Sequence, residues 1–356
     1  MKRAALAAAL LLLPACSSGH TAMRGVVPAG PLAGARWPAG SVHAGMLLHD
    51  DGRALWSYRL DGKRRLLWRH AAFHGAVVAA APAGQQLAYV LGGPGDRQSL
   101  YLLGADGSVR LADTIRAGWL HDAVFVRGRL YWSRSDEGGR VDVERLRVLG
   151  PGGPRTVHVP LRVGEYPARL SAYPGSPLFT LALGRRVQPP PPALLVLLEP
   201  SRRTDPARFG ELLPLRDLDN RHGVAWLSPT SFVTFARGQL RLFDESCIWR
   251  GSKVVYSGRG IDDFLVDEGA WPLLPLERER VLVMPRLPAA DRHDEAATLR
   301  ANERPLHWAV LDLRTRRLTQ TPLRFSETGW VGVQPARPYV QPSVARNCTG
   351  FAEPPS

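Results

Sequence analysis

Cysteine is scarce in this 356-residue chain, at positions 16, 247 and 348 only. Carboxylates and histidines gather in a few short clusters. His49-Asp50-Asp51 precedes Gly52, and Asp-Gly is hairpin-turn chemistry, which accounts for the carboxylates without a ligand. Asp262-Asp263 with Asp267-Glu268 offers the oxygens that calcium takes, but the spacing matches no EF-hand loop. Strand alternation would also point Asp262 and Asp263 to opposite faces. His293-Asp294-Glu295 lies in a polar stretch, 288–304, whose portion 289–302 is the best helix candidate and reads as a surface excursion. His70 and His74 flank a junction between strand groups and read as structural. The chain contains no Gly-x-Ser-x-Gly, no His-Glu-x-x-His, no zinc-spaced cysteine pair and no phosphate loop. The expectation is no catalytic, cofactor or metal site.

The first residues are ordered as an export signal. Lys2 and Arg3 precede an apolar run, 4–13, too short to span a hydrocarbon core of roughly 30 Å as a helix. Leu13-Pro14-Ala15-Cys16 resembles the bacterial lipobox. The resemblance implies cleavage before Cys16, a diacylglyceryl thioether on its sulfur and an acyl chain such as palmitate on its amine. Several acyl chains anchor stably where one binds marginally. Residues 1–15 are thus read as a lipoprotein signal peptide and 16–40, rich in Ala, Gly and Pro, as a flexible tether. Ser17 rather than Asp after the lipidated cysteine favours the outer membrane in a two-membrane cell. In a one-membrane cell the expected site is the outer face of the plasma membrane.

With Cys16 modified, Cys247 and Cys348 are an even pair in an exported chain, and a disulfide between them is expected. It would pin the Pro-rich tail, 335–356, to the body. The formal charge of +14 falls to +12 once Lys2 and Arg3 are removed, and it is carried almost wholly by arginine. Such a surface favours anionic lipid, polysaccharide or acidic protein. An exported protein makes nucleic acid an unsuitable partner.

Beyond residue 40, Gly and Pro recur every 8–15 residues with short apolar runs between them. Six groups of three or four candidate strands follow: 46–68, 75–112, 122–161, 168–215, 223–257 and 262–322. The groups recur about every 40–50 residues on average, the period of propeller blades. Residues 329–333 are placed to close the ring by adding a strand to the first group. Within the second group, Ala81-Pro82-Ala83-Gly84-Gln85-Gln86-Leu87-Ala88-Tyr89-Val90 and then Ser99-Leu100-Tyr101-Leu102-Leu103-Gly104-Ala105-Asp106-Gly107-Ser108 resemble the TolB-type propeller repeat. That repeat has a Pro-Asp-Gly turn before an inner strand and an Asp-Gly hairpin after it. Ala83 stands in place of the Asp, so the turn's side-chain cap is missing. Leu227-Ser228-Pro229 and the hairpin after Trp308 echo the pattern.

The expected fold is all-β, a propeller of about six to seven four-stranded blades over 41–334. The competing architecture, two β-sandwiches, would use Gln188-Pro189-Pro190-Pro191-Pro192 as its linker. Trp119, Trp226, Trp271 and Trp330 are candidates for the channel mouth or for blade packing. The functional expectation is a non-enzymatic, lipid-anchored binding or scaffold module for an envelope protein or polysaccharide. The alternatives are an envelope lyase or hydrolase acting on cell-wall sugars, and an outer-membrane assembly factor.

Overall fold

The computed structural model describes residues 32, 35–38, 40–70, 74–92, 98–116, 118, 120–136, 143–157, 159, 165–185, 193–198, 210–215, 224–236, 239–247, 250–257, 273–277, 279–283, 307–324, 330–340 and 348–351. They form six four-stranded antiparallel sheets. The first holds β1 (Leu47–Asp50), β2 (Ala54–Tyr58) and β3 (Arg64–Arg69), with the last of the described strands, β24 (Val331–Gly332), on its inner edge. The second is β4 (His74–Ala80), β5 (Gln86–Gly92), β6 (Gln98–Gly104) and β7 (Val109–Ile115). The third is β8 (Leu120–Val126), β9 (Arg129–Asp136), β10 (Val143–Gly150) and β11 (Gly153–Val157). The fourth is β12 (Glu165–Ala172), β13 (Leu178–Arg185), β14 (Ala193–Leu198) and β15 (Gly210–Leu215). The fifth is β16 (Val224–Ser228), β17 (Ser231–Ala236), β18 (Gln239–Asp244) and β19 (Lys253–Tyr256). The sixth is β20 (Leu274–Leu276), β21 (Arg280–Val283), β22 (His307–Asp312) and β23 (Arg317–Arg324).

Six apolar clusters sit between the sheets, one at each neighbouring pair. Ala79, Ala88 and Leu100 meet Phe125 and Trp132 between blades two and three. Ala225, Val233 and Leu240 meet Val281, Ala309 and Leu311 between blades five and six. The cluster holding Leu47, Leu282, Trp308 and Trp330 joins blade six back to blade one. A blade buried on both faces needs apolar side chains at successive positions, not only alternate ones. Ala123, Val124, Phe125 and Val126 on β8 are accordingly all buried. The fully buried Trp132, Trp226 and Trp308 each remove about 150–250 Å² from water, roughly 4–6 kcal/mol at 25 cal/mol per Å² as an upper estimate.

The inner strands β24, β4, β8, β12, β16 and β20 neighbour one another in a closed ring. Closure depends on β24, which pairs Leu47↔Gly332 and Leu48↔Val331 against β1. A shared direction of the inner strands gives the ring two faces. The entry face is where inner strands begin, and the exit face is where they end. Several exit-face connections are tight turns. Gly62 and Gly107 adopt φ of 82° and 88°, while Asp61 and Asp106 accept the N–H two residues on, as their Asp-Gly sequences require. Entry-face connections range from the two residues between β17 and β18 to residues 284–306 between β21 and β22.

Most expected strand groups match the blades, with some differences. The first strand of blade six is Leu274–Leu276 rather than 262–266, which lies outside the described residues. β20 is short and pairs with β21 through Leu274, Pro275 and Leu276, a strand that the proline in its middle hides from a sequence reading. The strands flanking the polyproline segment, β13 and β14, pair within one sheet, so the sandwich alternative is not adopted. The segment itself, the helix candidate 289–302, Cys16, Trp119, Trp271 and the acidic residues 262–268 lie outside the described residues. The C-terminal part of the expected tether packs on the body: Leu32, Ala35 and Trp37 are buried in the cluster between blades one and two, where a tryptophan side chain gains more by burial than by solvation.

Candidate functional site

The exit mouth of the channel is crossed by the chain's own C-terminal segment. After β24, residues 333–340 run beneath the ring from blade one to the opposite side. Ala83 N–H, at the turn of blade two, donates to Gln334 O at 2.9 Å. Gln334 Nε2 donates to Trp226 O of blade five at 2.8 Å, and the Tyr173 hydroxyl of blade four donates to Pro335 O at 2.8 Å. Burial pushes that hydroxyl up to about 12, so it remains a donor at any physiological pH. Tyr339 then donates to Glu245 Oε1 at 2.6 Å, and Cys348 is joined to Cys247 by a disulfide, Cα–Cα 5.5 Å. This strap therefore has polar contacts on blades two, four and five and a covalent tie to blade five.

The expected disulfide is thus present, and it pins the tail as anticipated. The missing Asp at the Ala83 turn is made good by the strap: Ala83 holds a positive φ of 55° with no side-chain cap, and its N–H is satisfied by Gln334. Nothing local to the 82–84 turn signals that exchange, because the accepting carbonyl belongs to Gln334 of a distant segment.

On the entry face, Asp50 is a buried junction between blades one and two. Its carboxylate accepts from Gly52 N–H at 2.7 Å, from the Tyr89 hydroxyl, and from His70 Nε2, 3.0 Å from Oδ2. The His70 and Asp50 side chains have no exposed surface. Because Asp50 only accepts, Nε2 of His70 carries the proton. Burial, then the hydrogen bond to Asp50, pushes the Tyr89 hydroxyl far above its ordinary range. A Cβ at Gly75 would collide with the Tyr89 hydroxyl and lie 2.9 Å from the His70 ring, so glycine there admits the trio. Turn chemistry alone explains Asp51, which caps Arg53 and Ala54, but not Asp50. A second junction, between blades two and three, gathers Trp132 Nε1 at 2.8 Å and Arg134 Nη1 at 2.9 Å on Asp113 Oδ2. His74 belongs to β4, and Trp226 and Trp330 pack between blades, the latter stacked on His49 at 4.5 Å.

Along the channel, Asp122 on β8 accepts from Ala123 N–H at 2.8 Å and from Leu170 N–H of β12 at 3.0 Å. Desolvation raises its carboxyl above the ordinary value of 3.8, opposed by the nearby Arg169 charge and these bonds. Both oxygens serve strand positioning. Among the described residues no group of three or more His, Cys, Asp or Glu is gathered to hold a metal ion. A groove of about 1200 Å³ opens on the exit face between blades five and six. It is floored by Leu227, Leu242, Val255 and Leu313 and flanked by strap residues Arg337, Pro338 and Val340.

TolB from Acinetobacter baumannii superposes on this chain with a TM-score of 0.50 at 12% identity, covering 80% of this chain and 64% of that one. The fold is a TolB-like β-propeller. The β-propeller domain of the Trilobed protease from Pyrococcus furiosus gives a TM-score of 0.43 at 13% identity, with 75% of each chain covered. Dipeptidyl peptidase 4 from Porphyromonas gingivalis gives 0.43 at 13% identity over 79% of this chain and 45% of that one. This chain therefore spans less than two thirds of the TolB chain and under half of the peptidase. No family model and no curated protein matches the sequence.

Proposed function

We propose that this TolB-like propeller is an exported lipoprotein, anchored through Cys16, that acts as a binding or scaffold module of the cell envelope. The partner is an envelope protein or polysaccharide. The observation that carries this reading is the strap. A chain segment laid across the exit mouth and tied to blade five by the Cys247–Cys348 disulfide occupies that mouth of the channel, which supports partner contact at the entry face. The disulfide also supports passage through an oxidising compartment, where such bonds persist. Asp122, the channel carboxylate described above, is bound to two backbone N–H groups. That arrangement favours positioning over the paired carboxylates, roughly 5–10 Å apart, that a sugar hydrolase uses.

The test places photo-crosslinkers at Arg53 and Arg116 on the entry face and at Arg155 on the exit face, in intact envelopes, in wild type and in Cys16→Ala. The reading expects one discrete adduct from the entry positions, weakened when the anchor residue is lost. Adducts from Arg155 alone, or release of sugar fragments from purified cell wall by the protein, would contradict it.

A further inference from the structure

The exit face carries a pattern that the strap alone does not explain. Its turns present exposed cations on four sides of the ring, among them Lys63, Arg127, Arg155, Lys253, Arg314 and, on the strap, Arg337. The carboxylates in the same turns are occupied locally. Asp61 caps Lys63 N–H and pairs with Arg59; Asp106 caps Ser108; Asp244 caps Ser246; Asp312 caps Thr315; and Glu245 accepts from Tyr339. Turn geometry holds these acids against the backbone, while the longer basic side chains reach outward.

The groove between blades five and six sharpens the pattern. Lys253, Arg280, Arg314 and Arg337 line it over an aliphatic floor, with Asp244, Glu279 and Asp312 as its acids, two of them capping turns. At its rim stands Val340, 71% exposed, the most exposed large apolar side chain among the described residues. An aliphatic side chain standing clear of the surface among cations matches the boundary of an anionic bilayer, where acyl chains lie just beneath phosphate. Acidic protein would satisfy the charge as well, and the choice of a bilayer rests also on the N-terminal residues that run on this same face.

The first described residues also run on this face. A Cβ at Gly107 would lie 3.4 Å from Arg36 Cβ, one at Gly84 would meet Val42, and Gly45 lies beside Glu277. All three approaches are at exit-face turns. We infer that the exit face is a docking surface for an anionic phospholipid bilayer, with Val340 and the cationic groove between blades five and six at its centre. The inference deepens the anchored reading, since a chain lipidated at Cys16 and joined to the body at Leu32 would be held close to the membrane by this same face. The entry face would then point away from the bilayer, toward the partner.

The experiment uses the full chain carrying Cys16→Ala, which removes the lipid acceptor, floated with vesicles of phosphatidylcholine alone or with about 30% phosphatidylglycerol at low salt. The phosphatidylcholine vesicles give the baseline contributed by the apolar leader, which every variant shares. Anionic vesicles are expected to retain at least tenfold more protein, and the excess should vanish at about 0.5 M salt, where the Debye length falls below roughly 5 Å. Lys253→Glu/Arg314→Glu/Arg337→Glu should abolish it, and Val340→Asp should cut it several-fold, with unchanged melting temperatures reporting intact folds. Equal retention by both vesicle types overturns the inference. So does an excess that survives the triple reversal but is lost on reversing Arg53, Arg69 and Arg116 of the entry face. Binding of soluble polyglutamate without vesicle retention would name an acidic polypeptide instead and also overturn it. Failure of wild-type Cys16 to take up labelled palmitate would refute the anchor while leaving an anionic excess, and hence this docking surface, in place.

Discussion

Replacing Cys348 with serine should cost this propeller a large share of its stability. The bridge spans a sequence separation of 101 residues, from the turn after β18 through all of blade six and the ring-closing strand to the tail. In the chain-entropy model a loop of that length contributes about 5 kcal/mol, which for a domain of this size lowers the melting temperature by roughly 10–20 °C. Thermal unfolding of oxidised wild type, reduced wild type, Cys348→Ser and Cys247→Ser separates the bond from the side chains. Both cysteines are buried, so a serine hydroxyl adds a penalty of its own, and the reduced wild type isolates the bond. The strap should also loosen locally, because beyond Tyr339 the disulfide is the tie that brings the tail back to blade five. Chymotryptic cleavage after Tyr339 should accelerate in both serine variants. A melting temperature within about 2 °C of wild type in all three forms would refute this account of how the strap is held.

Three further outcomes follow from the junctions. Gly75→Ala should destabilise by about 1–3 kcal/mol, because its Cβ displaces the Tyr89 hydroxyl and the His70 ring from Asp50; an unchanged denaturation midpoint would contradict the packing. Tyr173→Phe removes the bond to Pro335 O and should cost about 1 kcal/mol, with faster proteolysis of the strap and little change elsewhere. Asp122 titrates above 3.8 in the fold, so folding favours its protonated form. Its contribution is fully present below about pH 4 and is lost as pH rises through the raised value. Asp122→Asn keeps no such slope, and its stability relative to wild type should therefore improve between pH 4 and pH 7; a difference independent of pH would contradict the assignment.

The blades were legible because a propeller repeats one strand grammar. Asp-Gly at 61–62 and 106–107 marks hairpins whose glycines do take positive φ, and the apolar runs mark blades packed on both faces. Residues 329–333 were legible as the closing strand because the first group was one strand short. What escaped was everything made between distant segments. Asp50 looks like a turn residue until His70 and Tyr89 are seen beside it, since sequence order separates them by 20 and 39 positions. Trp37 looks like part of a tether, because burial against blades one and two has no local pattern. The short strand at Leu274–Leu276 is hidden by two prolines. The disulfide was foreseeable from cysteine number, but the path of the strap across the channel was not.

The proposed membrane anchor at Cys16 is tested most directly by intact mass spectrometry of the protein extracted from host membranes. The account expects a mature chain beginning at Cys16, heavier than its polypeptide by a diacylglyceryl group and an acyl chain, with the Cys247–Cys348 bridge intact. Recovery of an unmodified chain that begins at Met1, or at any residue other than Cys16, would contradict it.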